Sequence, residues 1–232
     1  MIDESDFLKT PQNAFDPDTR TKCLVLQDKL SSHIRQITLA DQNELISTFT
    51  LSGNVPEEVT IHFETAKNLY LYSWFVFRFY PVAEQQALTT LEYALRLSFP
   101  EFVKEHSEKN RFKNEPGLKT LIKHAAKIGK IRNELFPDRF AWASQRARAR
   151  FSHLKLNEMV ESGLIEMEYD DSGIEPSYDD LNHDWITGFI EHIPALRNDL
   201  AHGSPALHHT VIHTFDVVSS MINMLFPEDI VS

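Results

Sequence analysis

The sequence predicts an all-α protein: an antiparallel helical bundle with a mixed N-terminal extension and a small β-hairpin insertion. Three observations point there. Apolar residues recur at helical spacing over most of the chain after residue 55. Helix start and stop signals fall between those stretches. The 232 residues hold only 7 glycines, too few for a turn-rich β-sandwich or a Gly-rich nucleotide fold.

Residues 1–55 read as the extension, with DQNELISTFTLSG as a helix end or short strand followed by a turn. The helical domain spans 56–232. Asn54, Pro56 and Glu57–Glu58 give a cap, a first-turn proline and charges that suit the helix dipole. That helix is expected to run to about Phe79, with Pro81 kinking or restarting the chain. From Val82 to Phe99 a stripe of Leu88, Leu95 and Phe99 forms one helical face. Glu92 falls on the same stripe, so its carboxylate needs a partner: Arg96 one turn on, or a basic group from another helix.

Helices follow at Leu118–Ile128 and from Asp138 to about Met159, the latter with the alternate arginines Arg146, Arg148 and Arg150 on an exposed face. Gly163–Tyr178 reads as a short β-hairpin around a DDSG turn, or as an acidic loop. Asp184–Ala201 stops at Gly203, a glycine cap. Ser204–Pro205 then opens the last helix, whose stripe is Leu207, Val211, Phe215, Val218, Ile222 and Leu225.

The composition narrows the chemistry. No GxGxxG or GxxxxGK[ST] loop is present, so neither phosphate-cradling motif is available. A single cysteine, Cys23, fits a reducing compartment. The acidic start MIDESDFLKT is unlike a signal peptide, and the apolar run Leu69–Phe77 is under half of the roughly 20 residues that span a bilayer. A cytoplasmic protein without membrane partners is expected. The formal charge is −11, yet Lys104–Lys155 holds 14 Lys/Arg against 5 Asp/Glu, a net of +9. A polyanion is attracted to that segment and repelled elsewhere, unless the segment is simply a solvated, salt-bridged face.

Arg197 and His202 lie five residues apart where the last two helices meet. Spacing alone decides nothing: 11 arginines and 11 histidines produce one or two such pairs by chance, and Arg148–His153 and Arg146–His153 share the pattern. Context separates them. Only Arg197 is followed by Asn198 and then a Gly-Ser-Pro break leading into PALHHTVIHTFDVVSSMINML. In LRNDLAHG and that last helix, and more loosely in EQQALTTLEYALR, the chain resembles the HEPN superfamily of small helical bundles. The resemblance covers residues 60–226 in outline and is specific across about 195–225.

The resemblance implies a metal-independent endoribonuclease, a toxin or defence component that needs no cofactor. It would act as a homodimer on RNA, under an antitoxin or regulatory protein. Arg197 and His202 match the family's catalytic pair; Asn198 fits its polar residue, and Glu92 its supporting acid. The residue 1–55 extension and the net acidity depart from the pattern.

The chemistry is coherent: cleavage through a 2′-hydroxyl needs a base that titrates near neutrality and a cation for the phosphorane charge. On a regular helix, however, residues five apart diverge by about 140° around the axis. They converge only if the helix loosens near Ala201–Gly203 or a second subunit supplies the partner. Asn198 and His202 share a face directly. Two other readings stay open. One is a catalytically silent bundle binding a partner protein or nucleotide. The other is a metal, gripped by His209 and His213 one turn apart but without a third ligand at recognisable spacing, or by a cluster of His202, His208, His209 and His213 with Asp216.

Overall fold

The computed structural model describes residues 6–27, 34–109, 114–202 and 208–228. Among them the chain is helical apart from one two-stranded antiparallel hairpin. The strands are β1 (Val25–Gln27) and β2 (Ile34–Gln36). The α-helices are α1 (Leu39–Ser47), α2 (Glu57–Tyr72), α3 (Phe79–Ser98), α4 (Pro100–Lys109), α5 (Leu118–Lys127), α6 (Arg139–Glu161), α7 (Tyr178–Leu181), α8 (Trp185–Ala201) and α9 (Ile212–Leu225). No helix of the described residues is long and apolar enough to cross a membrane. The chain divides into two compact units, residues 1–131 with 190–232, and residues 132–189.

In the first unit α3 is the central helix, packed against α2, α9 and α5. It is buried on most of its circumference because small residues, Ala83, Ala87 and Ala94, alternate with Leu88, Leu91 and Leu95. Small side chains let neighbouring helices approach closely while the leucines fill the seams. The α2 stripe Val59, Phe63, Ala66 and Tyr70 faces it at spacings of four, three and four. From α9, Phe215 sets its ring against Phe63 and Tyr70, with centroids 5.9 and 5.7 Å away. Val211, Val218, Ile222 and Leu225 are buried as the apolar stripe predicts, while Leu207, Gly203 and the Ser204–Pro205 start lie outside the described residues. The last helix begins at Ile212 rather than at residue 204.

α2 stops at Tyr72, seven residues short of the expected end. The cause is tertiary. Asp18 donates its amide to the Trp74 carbonyl (2.9 Å) and accepts from the Phe77 amide (3.1 Å), which holds 74–77 as a non-helical corner. Burial works against the Asp18 charge, but bonds from Arg20 and the Arg20 and Phe77 amides outweigh it and hold the carboxyl below its ordinary range. Pro81 sits in the first turn of α3, where its missing donor costs no helical bond. α1 opens with a Thr38–Asp41 capping box. Its buried Gln42 donates to Ser73 Oγ and accepts from the Tyr80 hydroxyl.

In the second unit the Gly163–Tyr178 stretch is the acidic loop of the two alternatives, and the β-hairpin lies at residues 25–36 instead. Gly163, at φ +67, ends α6 in the left-handed conformation, with the Leu164 amide returning to the Met159 carbonyl. A turn forms at Asp170–Gly173, with the Ser172 amide on the Asp170 carboxylate, but no strands flank it. The loop has no covered apolar face to pay for strand pairing: Ile165 is 98% exposed. Downstream, a Ser177–Asp180 capping box opens α7. Asp180 is fully buried and takes bonds from Arg146 and Arg150. Two of the three alternate arginines of α6 therefore have a specific structural partner, and the bonds from Arg150 and Ser177 hold the Asp180 carboxyl below its ordinary range.

Candidate functional site

Glu92 lies on the buried side of α3, and both of its expected partners are present. Arg96, one turn along, donates Nη2 to Oε1 at 2.7 Å. Arg197, arriving on α8, places Nη2 3.2 Å from Oε2. Arg96 extends the network to Glu115 and to the Pro116 carbonyl. The Glu92 carboxylate is thus shared by two guanidinium groups, which offsets the cost of taking it out of water.

Arg197 is not consumed by this pairing. Its side chain keeps 35% of its exposure and, with Asn198, Pro194 and Glu92, lines a cleft of about 170 Å³. The opposite wall is the start of α5, Gly117 to Thr120. Gly117 supplies no side-chain cap, so the positive end of the α5 dipole faces the cleft beside Lys119. Pro194 lies inside α8 and cannot donate to the Ile190 carbonyl.

His202 stands apart from this cleft. It is exposed just beyond the end of α8, and its amide donates to the Asn198 carbonyl at 3.0 Å. That bond keeps the helical path through residue 202, so no loosening brings His202 towards Arg197 among the described residues. Asn198 and His202 share a face as expected, but their side chains make no hydrogen bond to each other. Glu92, Arg197 and Asn198 therefore come together in one cleft, and His202 does not join them within one chain.

Sequence reasoning missed a second polar cluster. Glu84, 3% exposed, lies one turn before Leu88 on the α3 stripe, which is the signal that would have found it. Its Oε1 accepts from Thr214 Oγ1 at 2.6 Å, and its Oε2 has no hydrogen-bond donor among the described residues and lies 3.6 Å from His208 Nε2. His209 and His213 are exposed, Asp216 is buried, and among the described residues no three His, Cys, Asp or Glu side chains gather to hold an ion.

Burial pushes the Glu84 carboxyl above its ordinary value of 4.5, against the opposing Thr214 bond and His208 charge. The folded chain holds this proton more tightly than the unfolded chain. The resulting stability is therefore fully present below the unfolded value and is lost as pH rises through the higher folded value. Glu84→Gln should raise the melting temperature at neutral pH and flatten the decline above pH 4.5. A variant whose melting profile tracks the wild type from pH 4 to 8 would contradict this.

Comparison with protein families, with curated proteins and with solved structures finds no match for this chain.

Proposed function

We propose that the protein is a metal-independent endoribonuclease of HEPN type, acting as a toxin or defence component. The observation that carries this reading is the Glu92–Arg197 pair, which anchors a partly exposed guanidinium at the wall of a cleft. The ion pair makes Glu92 a positioning residue, and the free face of Arg197 is available to phosphate oxygens. In the proposed reaction the His202 imidazole takes the proton of a 2′-hydroxyl. The 2′-oxygen bonds to phosphorus as the bond to the 5′-oxygen breaks, leaving a 2′,3′-cyclic phosphate and a 5′-hydroxyl. Arg197 balances the charge that builds on the phosphorane oxygens.

The separation of His202 from the cleft favours assembly of the site across a two-fold axis, with each subunit offering one residue of the pair. A protonated histidine of the second motif then supplies the proton to the departing 5′-oxygen. The expected outcome is a dimer by light scattering at micromolar concentration, and RNA cleavage that survives a chelator. A monomer, or activity abolished by chelation, would refute the corresponding part.

A second reading is favoured by the same ion pair: with its charge shared by Glu92, Arg197 also suits a catalytically silent bundle that binds a partner protein or nucleotide. Tight binding of RNA or nucleotide without any product would select it.

A further inference from the structure

α5 has an unusual charge pattern. From Pro116 to Arg132 the chain contains no acidic residue, although 34 of the 232 residues are Asp or Glu. The buried face of α5 is Leu118, Leu121, Ile122 and Ala125. Lys119, Lys123 and Lys127 are exposed on the side away from it. Successive lysines are four residues apart, so each step advances about 6 Å along the axis and turns only about 40°. The three ammonium groups therefore form one gently curving row.

Three helical lysines elsewhere in the chain are neutralised locally. Lys67 pairs with Glu64, Lys109 with Glu105 and Lys155 with Glu158, each within one helical turn. The three α5 lysines have no ion-pair partner among the described residues. A row of unneutralised cations on an otherwise acidic chain is a local field that attracts a polyanion. The row is also continuous with the candidate site: Lys119 lines the cleft that Arg197 closes from the other side.

We infer that the Lys119–Lys123–Lys127 row on α5 is the track along which the phosphate backbone of single-stranded RNA is led into the Arg197 cleft. The inference deepens the ribonuclease reading and rests on it for the identity of the polyanion. Single-stranded RNA fits better than a duplex because a lone strand can turn one phosphate toward Arg197 without unpairing. Attack by a 2′-oxygen in line with the leaving oxygen also needs a backbone free to leave the A-form. Basic tracks of this kind grip single strands through the backbone without reading sequence.

The test uses the full chain carrying His202→Ala, so that RNA is bound and not consumed. The probe is a fluorescently labelled, unstructured single-stranded RNA, titrated across a salt series. Each phosphate contact on a single strand contributes a slope of about −0.7 in log affinity against log salt. The triple change Lys119→Gln, Lys123→Gln and Lys127→Gln should make that slope shallower by about 2 and weaken binding most at low salt. The triple change Lys67→Gln, Lys109→Gln and Lys155→Gln removes the same charge elsewhere and should leave the slope unchanged. Arginine at the three α5 positions should restore it.

An unchanged slope in the α5 variant, an equal loss in the control, or no binding of the probe at all would overturn the track. Poly-glutamate competing as well as RNA of equal charge would overturn it in favour of an acidic protein partner. Cleavage by the otherwise wild-type chain is scored separately. RNA bound along the track but never cut would fail the ribonuclease reading and leave the track standing. RNA cut with an unchanged slope would do the reverse.

Discussion

His202→Ala is expected to lower RNA cleavage by about 10²–10⁴-fold while leaving the melting temperature unchanged. The rate effect is the usual worth of a positioned general base. The unchanged melting follows from the side chain's exposure beyond the end of α8, where among the described residues it makes no bond that the fold uses. Arg197→Ala should cost about 10²–10³-fold, the range for removing a group that stabilises transition-state charge. It also strips one of the two cations from Glu92, so it should lower stability where His202→Ala does not. His153→Ala is the control, because Arg148–His153 lacks the Asn198 and Gly203 context and should be neutral. Equal losses in the His153 and His202 variants would sink the assignment, as would a cleavage rate insensitive to both His202 and Arg197.

The largest effect on stability is expected from Phe215→Ala, at about 3–5 kcal/mol. Phe215 is fully buried and meets the rings of Phe63 and Tyr70, so truncation removes both its area and two ring contacts. The surrounding helices limit how far the cavity collapses. Val211, just before α9, is also fully buried, and α3, with Ala83, Ala87 and Leu88 fully buried, packs against α9. Chemical denaturation should show the loss as a lower midpoint at nearly constant slope. A cost below about 1 kcal/mol would mean that α9 is not seated on α2 as described.

Much of this fold was legible because its core is periodic. Val59, Phe63, Ala66 and Tyr70, and Val211, Phe215, Val218, Ile222 and Leu225, are buried where a 3.6-residue repeat puts them. What was not legible depends on distant contacts or on competition between weak preferences. The corner at 74–77 is set by Asp18, nearly sixty residues upstream, and no local signal in LYLYSWFVF announces it. α4 follows α3 after a single residue, Phe99, with Pro100 in its first turn, and it has no fully buried face to leave an apolar stripe. The site was legible in the same proportion. Glu92 stood out as a carboxylate on an apolar stripe, and its partner from another helix was one of two anticipated. Glu84 carries the same signal on the same stripe and was passed over because no basic residue follows it at helical spacing. Its neighbours Thr214 and His208 arrive from residues more than 120 positions away.

The Asp18 corner has a consequence for the hydrogen-exchange pattern of this protein. Protection normally follows the helical ladder and ends with it, yet the Phe77 amide lies in a stretch without helix and is bonded to a fully buried carboxylate. That amide is released only when the Asp18 segment detaches from the α2–α3 corner. Its exchange rate therefore reports the opening of the N-terminal segment, as distinct from the fraying of either helix.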